Sequence, residues 1–473
     1  MKKSFSVFNL GIFSFCFLLF LLLVPHLKIY FLAFFILVLV FRLLEGDFLK
    51  AVWFSLLLSL PFQVGKAIRT STFYIPIVDK YLIKETFFYI TMANFLTVLL
   101  LWLFLRKKSL SFKLFFRWWE FSLLIFLFFS LVSSVFSVYP LVSFLFFLQI
   151  SGVVLIYFLG RGVFFIKKDQ LLVNKTKVIL FSHLYFEGFL ALVQYFKKGF
   201  VAKFIEEAQY QYYFGHFAVE EKAMFRSSGT MAHPNTLASF LVILLPLVFG
   251  EMFKKRQSKN YLLFCFGSFV FAALGLVTTL SRGAWLVFFI DFFIFYLILR
   301  KENFEFKINL PGHLRLLFLP LVLFLPLVFK RILSLSQAFS QKGSVLVRLD
   351  LAKEALFFIK TSPLLGIGPG LFIPMLIERH TTNIIYIFPS LIHNTFLHIG
   401  AEMGLGSFLF YIFFSIQLLR RSWLRRNKVK NLSLFWGSLI AFFNFFILSL
   451  GYPLFKPEIQ SVFFLLCLFL INL

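Results

Sequence analysis

The sequence predicts an all-α polytopic membrane protein, and three observations carry that prediction. Hydrophobic residues make up 60% of the 473 positions, Phe alone occupies 77 of them, and only 14% are charged. Soluble domains run nearer 45–50% apolar and about 25% charged. The apolar residues are gathered into runs near the length of about 20 that a bilayer-crossing helix requires. The basic residues fall in short clusters between those runs.

Taken in order, the first run covers 5–25. It follows Lys2 and Lys3 as a signal peptide would, but continues to Val24 without a small-residue cleavage site, so it reads as a retained span. Runs at 29–43 and 49–64 are short enough to be tilted or re-entrant. Spans follow near 87–105, 119–137, 141–159 and 178–196, the last opening a loop at 197–235. Spans at 236–253, 261–280 and 284–299 come next, the latter two joined by a tight turn at Ser281-Arg282-Gly283, then one at 314–329. After the long segment 330–395, spans at 396–419, 432–450 and 460–473 complete a count of fourteen, or twelve to thirteen if the short runs do not cross. The organisation is one set of N-terminal spans, 1–110, and a core, 111–473, with no independent soluble domain.

With the N-terminus inside, the clusters Arg106-Lys107-Lys108, Arg161 with Lys167-Lys168, Lys254-Lys255-Arg256, Arg300-Lys301 and Arg420 to Lys430 all become cytoplasmic. That regularity follows the positive-inside rule. It also accounts for the net charge of +27 through anionic headgroups, so membrane lipid is the expected partner. No basic face or recognition module points to nucleic acid. Cys16, Cys265 and Cys467 lie inside apolar runs without CxxC spacing, which indicates neither a metal site nor a disulfide framework.

The loop at 197–235, the turn at 281–283 and segment 330–395 then share the outer side. Within the last, Leu349, Ala352, Leu356 and Ile359 recur at helical spacing with Arg348, Lys353 and Lys360 among the polar positions. This predicts a helix from Leu346 to Lys360 lying along the outer membrane face. Pro363 ends it, and Gly366-Ile367-Gly368-Pro369-Gly370 forms a turn. Those glycines follow no strand, so they do not make a dinucleotide loop.

Four outer residues are candidates for chemistry: Arg226, Arg282, Arg348 and His393. A guanidinium is always charged and its planar fork matches phosphate oxygens, so several at one depth suit a diphosphate. A neighbouring histidine can accept a proton from an attacking hydroxyl. An arginine at a span end also fits a snorkelling anchor, and the short turn leaves Arg282 least room for that. His233 and His398 read as helix-cap or packing histidines. No HExxH, GxSxG, Walker or DxD pattern appears, so no metal or other cofactor is expected.

The order RSSGTMAHPNTLASF, TLSRGAW, RLDLAKEALFFIKTSPLLGIGPGLF and HNTFLHIGAEMGLG resembles the O-antigen ligase and polymerase superfamily of bacterial envelope glycosyltransferases. The likeness covers roughly residues 120–450. It implies a GT-C-like helical fold in the bacterial inner membrane, with its active site facing the periplasm. The implied donor is a glycan on undecaprenyl diphosphate, and the implied acceptor is lipid A-core or another glycan. Arg226, Arg282 and Arg348 would hold the diphosphate, His393 would activate the acceptor for metal-independent inverting attack, and Glu402 would orient that region. Polymerisation of lipid-linked repeats and transfer of glycan to a protein hydroxyl are the alternatives within the class. A transporter of a diphosphate lipid would also need many spans and cations. It predicts inverted repeats and polar groups near mid-membrane, whereas here they gather at one face.

Overall fold

The structure, a computed structural model, describes residues 6–62, 64–77, 80–106, 117–167, 170–201, 217–218, 221–231, 233–253, 257–301, 329, 344–379, 391–429 and 431–472. Backbone amides have no water to bond in a bilayer, so spanning segments must satisfy them internally, as helices do. The first third comprises α1 (Val7–Leu21), α2 (Leu27–Glu45), α3 (Phe48–Ser59), β1 (Gly65–Ile77), β2 (Lys80–Thr91), α4 (Met92–Arg106), α5 (Phe121–Val135) and α6 (Pro140–Lys167). Then come α7 (Gln170–Lys197), β3 (Phe217–Ala218), β4 (Glu221–Phe225), α8 (Pro234–Met252), α9 (Lys259–Thr278) and α10 (Arg282–Lys301). The chain closes with α11 (Ser344–Thr361), α12 (Phe372–Arg379), α13 (Thr395–Arg425), α14 (Leu432–Ser449) and α15 (Pro457–Asn472).

Among the described residues, eight helices are long and apolar enough to cross a membrane, and α1, α3, α4 and α15 are shorter apolar helices. The chain is therefore a helical multi-pass membrane protein. The expected span at 314–329 and much of 330–395 lie outside the described residues. One departure is local. The expected span 87–105 loses its first residues to β2, which pairs antiparallel with β1 from Gly65↔Thr91 to Ile77↔Lys80.

Helix boundaries follow capping chemistry. Asp47 accepts from the amides of Leu49 and Lys50 to open α3, Ser258 caps α9, and Asn394 accepts from Phe396 and Leu397 to open α13. Pro234 occupies the first turn of α8, with His233 as its N-cap.

Within the bundle, α7 packs on α1 and α9, α8 on α14 and α9, α13 on α5, and α15 on α6. Small residues set the closest approach: a Cβ on Gly275 would stand 2.7 Å from the Gly188 Cα, and one on Gly188 would meet the Ala272 nitrogen at 2.6 Å. Backbone contact of this kind drives helix association where lipid removes the hydrophobic gain. Gly188→Leu is expected to separate α7 from α9, lowering the melting temperature and folded yield of purified protein. An overpacked core loses about 1–3 kcal/mol or more.

Buried ion pairs stitch the end where the basic clusters lie: Lys175 to Glu45 at 2.6 Å, Lys177 to Glu251 at 2.7 Å, and Arg161 to Glu120. Arg161, counted above within a cytoplasmic cluster, is thus committed to a partner inside the bundle.

At the opposite end, α11 forms over the expected span, but Leu349 and Leu356 of the expected apolar stripe are exposed and a neighbouring face is the one buried in the protein. Leu351, Ala355 and Phe358 join Phe372, Leu376 and Ile377 of α12, with Ile392 and Ala401, in a second small core. α11 therefore rests on α12 and α13 through one face.

Candidate active site

Four segments meet at the end opposite the buried ion pairs: residues 226–231 and 233–236 leading into α8, the α9–α10 turn, α11, and the start of α13 with the α14–α15 loop. The first is held from α7. Gln194 accepts from the amides of Ser228 and Gly229 at 3.1 and 2.9 Å and donates to the Gly229 carbonyl at 2.8 Å. Glu187, seven residues earlier and so on the same helix face, accepts from the Thr230 amide and hydroxyl. Gly229 adopts φ +59°, where a side chain would be strained and would strike Glu187.

Arg226 closes this segment onto the next turn. Its Nε donates to the Thr279 carbonyl at 2.9 Å and its Nη2 to Asn235 Oδ1 at 2.7 Å, while the Ser227 amide donates to the Thr278 carbonyl at 3.1 Å. The turn itself is strained, with buried Leu280 at φ +53°. A non-glycine residue held there points to a functional constraint. It delivers Arg282 at the first residue of α10, half-buried.

Tyr452 links the turn to the other two segments. Its hydroxyl lies 2.9 Å from Ser281 Oγ, the Arg348 guanidinium sits 5.6 Å from its ring centre, and its carbonyl accepts from Thr395 Oγ1 at 3.2 Å. Lys456, four residues on, donates to Thr236 Oγ1 at 3.2 Å. Burial lowers its pKa, opposed by Glu458.

His393 stands just before the α13 cap. Burial lowers its pKa to about 3, and the charges of Arg348 and Lys456 act in the same direction, against a hydrogen bond with the Leu391 backbone. Its Nδ1 is buried without a hydrogen-bond partner. The site therefore pairs a neutral imidazole, an acceptor open on one nitrogen, with a concentration of cations. Such an arrangement can hold a polyanion and take a proton from a hydroxyl.

His398 and Glu402 do something else. The His398 Nε2 lies 3.0 Å from Glu402 Oε2, and that carboxylate accepts the Gly370 amide at 2.8 Å and the Phe372 amide at 3.0 Å. Glu402 thus ties α13 to the glycine turn and the start of α12. At Gly404, φ +79°, the helix breaks and the chain passes against the Leu364 carbonyl.

Of the residues expected from sequence, Arg226, Arg282, Arg348 and His393 share this one end. Lys456, Tyr452, Glu187 and Gln194 were not anticipated. Lys456 had a signal: a lone lysine, two residues before Glu458, in the short turn between the last two expected spans. Glu187 and Gln194 had one too, as polar residues inside an apolar run.

Residues 267–412 match the family model for the O-antigen ligase. This stretch of the chain is similar to the O-antigen ligase domain. The matched region takes in Arg282, Arg348, His393, His398 and Glu402, whereas Arg226, Tyr452 and Lys456 lie outside it. No curated protein matches the chain. The match supports an enzyme of the O-antigen ligase and polymerase type for this multi-pass protein.

Proposed function

We propose that this O-antigen ligase-type enzyme transfers a preassembled glycan from undecaprenyl diphosphate to a lipid A-core hydroxyl at the periplasmic face of the inner membrane. The observation that supports this most is the gathering of Arg348 and Lys456 around neutral His393, joined through Tyr452 to the turn that carries Arg282. Residues 1–110 contribute flanking spans, and 111–473 form the catalytic core.

In this reading Arg282, Arg348 and Lys456 hold the diphosphate, and Arg226 braces the turn on which Arg282 sits. His393 Nδ1 takes the proton as the acceptor oxygen attacks the anomeric carbon from the face opposite the diphosphate. The bond from that carbon to acceptor oxygen forms, its bond to phosphate oxygen breaks, and configuration inverts. The leaving diphosphate keeps the electron pair, and the cations stabilise its charge without a metal. Bound diphosphate also offsets Arg348 and Lys456, which raises the His393 pKa toward the range of an effective base. Base strength thereby rises when the donor is in place.

Expression in a ligase-deficient Gram-negative strain tests the reaction. Long-chain lipopolysaccharide on a gel is the expected result. Lengthening of lipid-linked chains alone would assign polymerisation instead, and no new glycan product would reject both.

Arg282→Lys is expected to keep the charge but lose the bidentate fork. Transfer should fall at least about tenfold, the factor that corresponds to 1.4 kcal/mol, while protein level holds. Near-normal transfer would make Arg282 an anchor. Orientation is tested with single cysteines at Gly451 and Lys428 in a chain lacking Cys16, Cys265 and Cys467. An impermeant maleimide should label position 451 in intact spheroplasts and position 428 only after lysis.

A further inference from the structure

The end of the bundle opposite His393 carries a second concentration of cations. Arg421 and Arg425 lie in the last turns of α13, roughly 35 Å by helical rise from His398, slightly more than the hydrocarbon thickness. Arg117 stands just before α5, and its pKa is lowered by burial and then by the charges of Arg161 and Arg425. Arg117 is therefore near Arg161 and Arg425, and Arg421 reaches the same place through Trp118, the residue after Arg117. The one carboxylate among them, Glu120, is already occupied. It pairs with Arg161, accepts from the Tyr157 hydroxyl at 2.7 Å and accepts from the Arg117 amide at 2.8 Å. Among the described residues, no carboxylate forms an ion pair with Arg117, Arg421 or Arg425.

Two buried donors at the same place lack acceptors. Arg421 Nε has none, and neither has the indole nitrogen of Trp119, which is fully buried against Phe414 with ring centres 5.4 Å apart. The Arg421 guanidinium lies 5.3 Å from the Trp118 ring centre and 5.5 Å from that of Trp119. Trp118 is exposed beside it; Trp423, on the same last turns of α13, is exposed too, with Arg426 4.5 Å over its ring. Exposed tryptophans mark the headgroup level of a membrane. The cluster thus presents surplus cations and donors at headgroup depth, with apolar rings on the bilayer side.

We propose that this cluster is a binding site for an anionic phospholipid of the leaflet opposite the catalytic end. Arg117, Arg421 and Arg425 hold its phosphate, and Trp118 and Trp423 flank its glycerol and upper acyl chains. The occupant is a lipid rather than free phosphate because the exposed indoles of Trp118 and Trp423 lie at the same end of the bundle as the guanidinium groups. Nothing in this inference depends on the donor or acceptor assigned above.

The test is thermal melting of the purified full chain in neutral detergent with phosphatidylglycerol, phosphatidylcholine or inorganic phosphate added. Phosphatidylglycerol is expected to raise the melting temperature at a concentration at least about tenfold below that required of phosphatidylcholine, with phosphate inert. R421Q/R425Q should abolish that preference. Arg420→Gln, one residue away on the exposed side of the same helix, should keep it. If the double variant does not fold, R117Q/R425Q serves in its place with the same expected loss. Equal response to the two lipids, an equal response to phosphate, or a preference that survives the arginine substitutions would overturn the proposal.

Discussion

His393→Ala is expected to slow glycan transfer by about 10²–10⁴-fold, the contribution of a positioned acid–base group, while donor binding is retained. The expectation rests on the open Nδ1 of His393 and on its neutrality, which burial, Arg348 and Lys456 together enforce. His398 offers the contrast. It lies inside the first turn of α13, whereas His393 precedes the Asn394 cap, and its Nε2 is against Glu402 rather than toward the cations. His398→Ala should therefore lower stability more than it lowers the rate per folded molecule. Purified variants in nanodiscs, assayed with labelled polyprenyl-diphosphate glycan and with donor binding recorded separately, make the comparison. A His393→Ala enzyme that keeps most of its rate would remove His393 from the chemistry.

The same residue gives a pH dependence of definite sign. In the free protein its pKa is about 3, so protonation of His393 should not limit the donor kcat/KM above about pH 5. At saturating donor the diphosphate offsets the cations, and the acid limb of the acceptor kcat/KM should move to higher pH. Stability follows from linkage. Above an ordinary histidine pKa of about 6.5, the side chain is neutral in both folded and unfolded chains. As pH falls from there toward about 3, the unfolded chain takes up the proton and the folded one does not, so stability declines across that window. The melting temperature of His393→Asn should decline less than wild type over the same interval.

Glu402→Leu is expected to show the largest loss of stability among these substitutions. The carboxylate is 2% exposed and accepts from the amides of Gly370 and Phe372, with His398 on its other side. Leucine leaves two buried amides without an acceptor, at about 1–3 kcal/mol each. It also frees the glycine turn from α13. Glu402→Gln retains one acceptor oxygen and places an amide where the second amide donates, so it should fall between the two. Thermal unfolding in detergent orders the three proteins. Equal melting temperatures would show that the turn is held by other contacts.

Much of the architecture is determined by local composition. A stretch of about 20 apolar residues can satisfy its backbone in a bilayer only as a helix, so the helices at 121–135, 234–252, 259–278 and 432–449 were legible without any tertiary information. The helix at 344–361 was legible from its 3.6-residue period, and the candidates Arg226, Arg282, Arg348 and His393 from cation and imidazole chemistry at span ends. The β1–β2 hairpin was not, because register and pairing depend on a partner strand rather than on the apolar count. Tertiary packing alone decided which polar groups meet. Arg226 spends two donors on Thr279 and Asn235, which makes it a brace as much as a ligand. Glu402 spends its oxygens on two backbone amides and a histidine. Tyr452 and Lys456, in the short loop before α15, become central only when that loop folds against α8, α11 and the α9–α10 turn. A hydrogen bond across 171 or 220 positions, such as Ser281 to Tyr452 or Thr236 to Lys456, leaves no periodic trace in sequence, because its geometry is set by how whole helices pack.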